Sequence, residues 1–106
     1  MIYEMRTYTT ETYAKQAVVV EVMEKLMPVF AKAGIRVVGL WTTFVGHNGE
    51  FIYLLEYESL ADQEKKWEKL LADPDLYTFM AAGAAEWSTV SERNAFLRPT
   101  SYSPIR

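Results

Sequence analysis

The sequence predicts an α+β fold in which one antiparallel sheet carries helices on a single face. Along the 106 residues, the hydrophobic period changes from two to helical and back again. A turn rich in glycine, Gly46–Gly49, separates two consecutive strand-like segments. Half of the residues are hydrophobic, which is enough for one globular core. We therefore expect a single domain over residues 1–106.

The first half of the chain predicts a strand, a helix and a hairpin. Ile2–Thr9 is rich in β-branched and aromatic residues, which is typical of a strand. Apolar residues then recur with helical spacing over Tyr13–Ala33, and Gly34 stands where a helix C-cap glycine is expected. Ile35–Phe44 and Phe51–Glu58 are predicted to be the two strands of the hairpin.

The second half predicts two helices and a last strand. Ser59 is a suitable N-cap for the first helix, and Asp73-Pro74 begins the second with a cap followed by proline at N1. Alternation returns over Ser88–Leu97, and Leu97–Arg106 is predicted to be an extended tail. The resulting order β-α-β-β-α-β is the ferredoxin-like pattern, with its helices on one face of the sheet.

The other face of the predicted sheet carries too few polar residues to remain in water. Ile52 and Leu54 make half of that side of the third strand apolar. Such a face is usually covered by protein. We therefore expect a homodimer whose two sheets cover each other, with the tail packed along its own or the partner subunit over a sheet edge.

Four segments of the chain resemble the NIPSNAP family of the dimeric α+β-barrel superfamily. They are IYEMRTYT (Ile2–Thr9), VGLWTT (Val38–Thr43), Asp73-Pro74 and LRPTSYSP (Leu97–Pro104). The resemblance implies a ferredoxin-like protomer whose sheets pair into a barrel. It implies no activity, because bacterial members have no established reaction. Eukaryotic members are linked to mitochondria and to protein interactions, and we do not expect the mitochondrial role here.

Composition argues against several classes of function. The net charge is −3 without a basic stripe, so nucleic-acid binding is not expected. The absence of cysteine excludes disulfides and thiol catalysis. His47, the one histidine, stands in the predicted turn, and no histidine–carboxylate spacing of a metal site occurs, so we expect no metal and no cofactor. Without a long apolar segment or a signal peptide, we expect a cytoplasmic protein with no membrane association.

The first strand carries the main candidate site. Because side chains alternate along a strand, Glu4, Arg6 and Tyr8 share one face. Arg6 would anchor an anion or carbonyl, Tyr8 would donate a hydrogen bond, and Glu4 or Glu92 would take a proton. Glu56 and Asn94 stand on neighbouring strands. The alternative is a structural polar network that sets strand register and dimer packing.

Aromatic residues form a second candidate group. Together with Asn94, they would line a pocket for a flat apolar ligand, although plain core packing would explain them as well. The group consists of Trp41, Tyr53, Tyr57, Trp67 and Trp87. We therefore predict a small homodimer that binds an apolar or aromatic ligand. The resemblance implies two alternatives. One is a cofactor-free monooxygenase or isomerase acting on a small aromatic or polyketide-like molecule, a chemistry found in the superfamily. The other is a protein-interaction adaptor, as the eukaryotic relatives suggest.

Overall fold

The computed structural model describes residues 1–46, 49–83 and 89–106, which contain four strands and three helices. In chain order these are β1 (Ile2–Thr10), α1 (Tyr13–Lys32), β2 (Arg36–Thr42), β3 (Glu50–Tyr57), α2 (Leu60–Ala72), α3 (Pro74–Gly83) and β4 (Thr89–Leu97). His47, Trp87 and Ser88, for which the sequence analysis made predictions, lie outside the described residues.

The four strands form one sheet in the order β2-β3-β1-β4, and every neighbouring pair is antiparallel. This is the strand order of the ferredoxin-like fold, with β1 and β3 at the centre. The predicted fold class is therefore confirmed for the protomer. The central position of β1 brings its side chains beside both β3 and β4.

Helix α1 supplies the largest part of the core. Thr12 caps its first turn by accepting a hydrogen bond from the backbone N–H of Lys15, and Gly34 follows its end with φ of +82°. The face predicted to be apolar is buried from Val19, which is fully buried, to Phe30. This face packs on the side of the sheet that carries Tyr53.

Strand β2 is shorter than predicted and contains a β-bulge. Arg36 pairs with Glu56 and Val37 with Leu55, but the next pair joins Gly39 to Leu54. Val38 is therefore an extra residue on β2, and it reverses the side to which every later side chain of the strand points. Beyond Thr42 the strand ends.

The sheet face opposite the helices carries several solvent-exposed apolar side chains. Met5, Trp41 and Leu97 are exposed there, and the β3 residues Ile52 and Leu54 are partly exposed. In the described part of the chain, no helix is both long and apolar enough to cross a membrane.

The tail after β4 contains a turn closed by a hydrogen bond from the N–H of Ser103 to the carbonyl oxygen of Thr100. Tyr102 is 83% exposed, so its ring does not pack on its own protomer. The packing of the tail on a partner subunit stays a prediction.

Candidate functional site

Glu4, Arg6 and Tyr8 share the helix-covered face of β1, as the alternation predicted. The register places Arg6 between Tyr53 of β3 and Asn94 of β4, and Tyr8 beside Glu92. Paired residues on adjacent strands project to the same side. Two of the predicted aromatic residues, Tyr53 and Tyr57, therefore lie on the same side as Glu4, Arg6 and Tyr8. Glu92 and Asn94 of β4 lie on this side too.

The guanidinium of Arg6 donates to three side chains. Its Nε bonds the hydroxyl of Tyr53 at 2.7 Å, and its Nη1 bonds the carboxylate of Glu4 at 2.8 Å. Its Nη2 lies 3.5 Å from the hydroxyl of Tyr8, at the outer limit for a hydrogen bond. Arg6 thus makes short hydrogen bonds to Tyr53 and Glu4 and only a long one to Tyr8.

Glu4, which is 1% exposed, accepts hydrogen bonds from three donors. Besides Arg6, the hydroxyl of Tyr57 donates to it at 3.1 Å and the side-chain amide of Asn94 at 3.2 Å. The indole Nε1 of Trp67 donates to the Tyr57 hydroxyl at 2.7 Å. Because each partner lies on a different element, this network joins β1, β3, β4 and α2.

Three aromatic rings surround the Arg6 side chain. Its Cζ lies 4.6 Å from the ring centroid of Trp67 and 5.9 Å from those of Tyr8 and Tyr53. These distances are within the range of cation–π attraction. The Tyr8 and Tyr53 rings meet edge to face, and their hydroxyl oxygens are 2.6 Å apart. The positive charge is therefore stabilised by rings as well as by Glu4.

The environment shifts the acid–base behaviour of these groups. Burial raises the pKa of Tyr53, and the adjacent Tyr8 oxygen raises it further despite Arg6. Burial likewise raises the pKa of Tyr57, although the Trp67 donor opposes the shift. Burial lowers the pKa of Arg6, but its tyrosine and Glu4 partners more than offset this, so the pKa is raised. Tyr53 and Tyr57 are therefore neutral phenols at physiological pH, and Arg6 is a fixed cation.

A cavity of about 220 Å³ lies between this cluster and the helices. Two strands contribute charged or hydroxyl-bearing residues to its wall. Strand β1 contributes Arg6 and Tyr8, and β4 contributes Glu92, which is exposed. Among the residues that the structure describes, the cavity is also lined by Met23, Leu26, Phe30, Tyr53, Trp67, Leu70, Leu71, Leu76 and Met80. Within this described lining, the cavity has one polar wall and is otherwise mainly apolar.

The structure separates Trp41 from the predicted aromatic group. The bulge at Val38 pairs Trp41 with Ile52 on the open face, whereas uninterrupted alternation would have placed it on the face of Tyr53. Trp41 is 52% exposed, and its ring covers Gly39. Trp41 therefore lines a depression beside α1 and not the cavity beside Arg6, and its role in ligand binding stays a prediction.

Glu56 also lies apart from the cluster. It accepts hydrogen bonds from Tyr3 and Arg36 on the open face, because β3 residues of even number point away from the helices. The other two residues on neighbouring strands lie near Arg6. Asn94 donates a hydrogen bond to Glu4, and Glu92 borders the cavity. Trp87 and His47 lie outside the described residues.

Most of the apolar cavity wall is not recognisable from the sequence as a binding surface. Met23, Leu26, Phe30, Leu70 and Leu76 lie at helical spacings that indicate core packing. No signal in the sequence distinguishes a side chain that fills the core from one that borders a cavity. The distance between helix and sheet decides this.

A second, larger depression of about 350 Å³ lies between α1 and the edge of β2. Glu24 is the one charged residue in its described lining, and it is exposed. This depression thus lacks the converging polar groups that characterise a specific site. Within the described residues, no cluster of histidine, aspartate or glutamate could hold a metal ion.

Comparison with solved structures identifies relatives over the full chain. A NIPSNAP family protein from Agrobacterium tumefaciens is 27% identical, with a TM-score of 0.85 over 99% of this chain and 98% of that one. An uncharacterised NIPSNAP domain protein from Burkholderia xenovorans is 21% identical, with a TM-score of 0.84 over 98% and 99%.

A more distant likeness extends to another group of proteins. A Nitrosomonas europaea protein, described provisionally as an antibiotic biosynthesis monooxygenase, is 11% identical, with a TM-score of 0.66 over 93% of this chain and 98% of that one. At this identity the likeness concerns the fold alone. No protein with a curated description matches the sequence significantly.

The sequence itself matches the model of the NIPSNAP family over residues 3–104. This range contains the closing segment and all but Ile2 of the opening segment on which the resemblance was based, and apart from Ile2 it covers the seven helices and strands of the described chain. The chain therefore belongs to the NIPSNAP family.

Proposed function

We propose that this protein binds a small aromatic molecule in the cavity between the sheet and the helices. The observation that carries the proposal is the composition of the cavity wall, in which Arg6, Tyr8 and Glu92 form one polar side and the other described lining residues are mainly apolar. Apolar pockets with a few converging polar groups are the usual form of small-molecule sites. Here the walls would hold a ring, and Arg6 would orient its polar substituent.

The volume limits the size of this ligand. A cavity of about 150 Å³ holds benzene. The cavity of about 220 Å³ is therefore suited to one ring with a short substituent. This volume favours a single-ring compound over a polyketide-like one.

A cavity-filling substitution tests the proposal. Leu71 is 51% exposed and borders the cavity, so Leu71→Trp would occupy the space without disturbing the core. Leu60 lies on the same helix, is 60% exposed and does not border the cavity, so Leu60→Trp is the matched control. Phenol binding, measured by isothermal titration calorimetry, should be lost in Leu71→Trp and kept in Leu60→Trp.

Native mass spectrometry of protein purified gently from its own host would complement this experiment. A stoichiometric small molecule that is absent from Leu71→Trp would support the proposal and reveal the chemical class. Equal phenol binding by Leu71→Trp and Leu60→Trp would contradict it, because the ligand would then bind elsewhere.

We also propose that two copies associate through their open sheet faces. The proposal is supported by the exposed side chains of Met5, Trp41 and Leu97, which together with Ile52 and Leu54 give this face an apolar character. A homodimer would remove these side chains from water.

Cofactor-free monooxygenase or isomerase activity is a second candidate function. It is supported by the hydrogen-bonded arrangement of Arg6, Tyr53 and Tyr8, which would stabilise an oxyanion or enolate in the cavity. Incubating an identified ligand with protein and oxygen, followed by mass spectrometry of the products, tests it. Conversion of the ligand by the wild type but not by Arg6→Gln would support catalysis. A ligand left unchanged by the wild type would mean that the protein binds it without catalysing a reaction. A protein-interaction adaptor would need an exposed apolar surface. The open sheet face is such a surface, but we assign it to the proposed dimer.

A further inference from the structure

The donors of Arg6 define what the polar wall of the cavity offers to a ligand. A guanidinium has five N–H donors. Glu4 and Tyr53 take one each at short distance, and Tyr8 takes a third at 3.5 Å. In the described part of the chain, two donors of Arg6 thus have no protein acceptor. They are available to an oxygen atom of a bound molecule.

The charge of Arg6, by contrast, is already balanced. The Glu4 carboxylate lies 2.8 Å from Nη1 and is 1% exposed, so water screens the pair weakly. A carboxylate ligand on Arg6 would place a second negative charge near Glu4, and repulsion would cancel part of the attraction. The ligand would also lose its own hydration.

A neutral oxygen avoids both costs. A carbonyl or phenol oxygen accepts the same N–H bonds from Arg6, but it carries no full charge to be repelled by Glu4. It also loses less hydration when it enters the apolar cavity.

We propose that the cavity selects a neutral single-ring compound bearing a carbonyl or hydroxyl oxygen, and discriminates against the corresponding carboxylate. This inference rests on the proposed small-molecule function and names its ligand class. Two carboxylates set the discrimination: Glu4, which acts through Arg6, and Glu92, which lies in the cavity wall.

Acetophenone and benzoate test the inference because they share a ring and differ little in size. At pH 7.5, titration calorimetry of the wild-type protein should show acetophenone binding at least about tenfold more tightly than benzoate. Equal or tighter binding of benzoate would overturn the inference but leave the proposed function intact. If phenol, acetophenone and benzoate all fail to bind, the proposed function itself is wrong.

Glu4→Gln then tests the role assigned to Glu4. The amide keeps the shape of the side chain and removes the charge that balances Arg6, so benzoate affinity should rise about tenfold. Acetophenone affinity should change less than about threefold. Glu64→Gln, an exposed glutamate on α2 away from the cavity wall, is the matched control and should leave both affinities unchanged.

A folded Glu4→Gln protein that still discriminates against benzoate to the same degree would overturn the assignment to Glu4. Circular dichroism establishes whether the variant is folded. If it does not fold, the wild-type comparison of acetophenone with benzoate decides the ligand class.

Discussion

The indole of Trp67 covers the guanidinium of Arg6, with 4.6 Å between its ring centroid and Cζ. The same indole donates its Nε1–H to Tyr57 at 2.7 Å. One side chain of α2 thus contacts the cation on β1 and, through Tyr57, its counter-ion Glu4. The packing of this helix and the electrostatics of the buried pair are therefore coupled.

Two substitutions of Trp67 should separate these contacts. Trp67→Phe keeps an aromatic ring over Arg6 but removes the hydrogen bond, and it should lower the free energy of unfolding by about 1 kcal/mol. Trp67→Leu also removes the cation–π contact, and it should lower that free energy by about a further 1–2 kcal/mol. Urea denaturation measures both values. Equal losses in the two variants would show that the ring does not stabilise Arg6.

The buried pair of Glu4 and Arg6 should behave unlike the surface pair of Arg36 and Glu56. Glu4→Leu leaves the buried guanidinium without its counter-charge, so the free energy of unfolding should fall by about 3–5 kcal/mol. The double variant Glu4→Leu/Arg6→Met should recover most of this loss, because it removes both charges. Thermal and urea denaturation provide the measurement.

Arg36→Met is the control for this prediction. Arg36 is 70% exposed, and its loss should change the free energy of unfolding by less than about 1 kcal/mol. A double variant no more stable than Glu4→Leu would mean that the lost stability comes from packing, not from an isolated charge.

The raised pKa of Tyr53 predicts a loss of stability in alkali. The folded state keeps the phenol neutral above the ordinary pKa of 10.0, whereas the unfolded chain ionises it there. Its contribution to stability is therefore complete below pH 10 and falls as the pH rises further. The melting temperature of the wild type relative to Tyr53→Phe should decrease between pH 8 and pH 11. The same comparison with Tyr102→Phe, in the exposed tail, should show no such trend.

The proposed dimer predicts the effect of a charge at the centre of the open face. Leu54→Arg would place an arginine between the two sheets, so light scattering after size-exclusion chromatography should find a monomer. Leu60→Arg makes the same exchange on the exposed side of α2 and should leave the dimer intact. A dimer in Leu54→Arg, or a wild-type monomer, would contradict association through this face.

The sequence predicted the cluster on β1 well, because strict alternation along a regular strand assigns each side chain to a face. Glu4, Arg6 and Tyr8 followed that rule. Trp41 did not, because the rule fails at a bulge, and Gly39 within the strand was the available warning. The cavity was beyond prediction for another reason. Its volume depends on the separation of α1, α2 and the sheet, which no local pattern encodes.

The extra residue at Val38 has a consequence for comparisons among relatives. In a family member without this insertion, a gap-free alignment would match Trp41 to a side chain that points toward the helices. From Gly39 to the end of the strand, each alignment column would pair a side chain that faces the helices with one that faces the open side of the sheet. Conservation at these columns would then mix two different selective pressures. A single gap placed at Val38 restores the correspondence between position and environment.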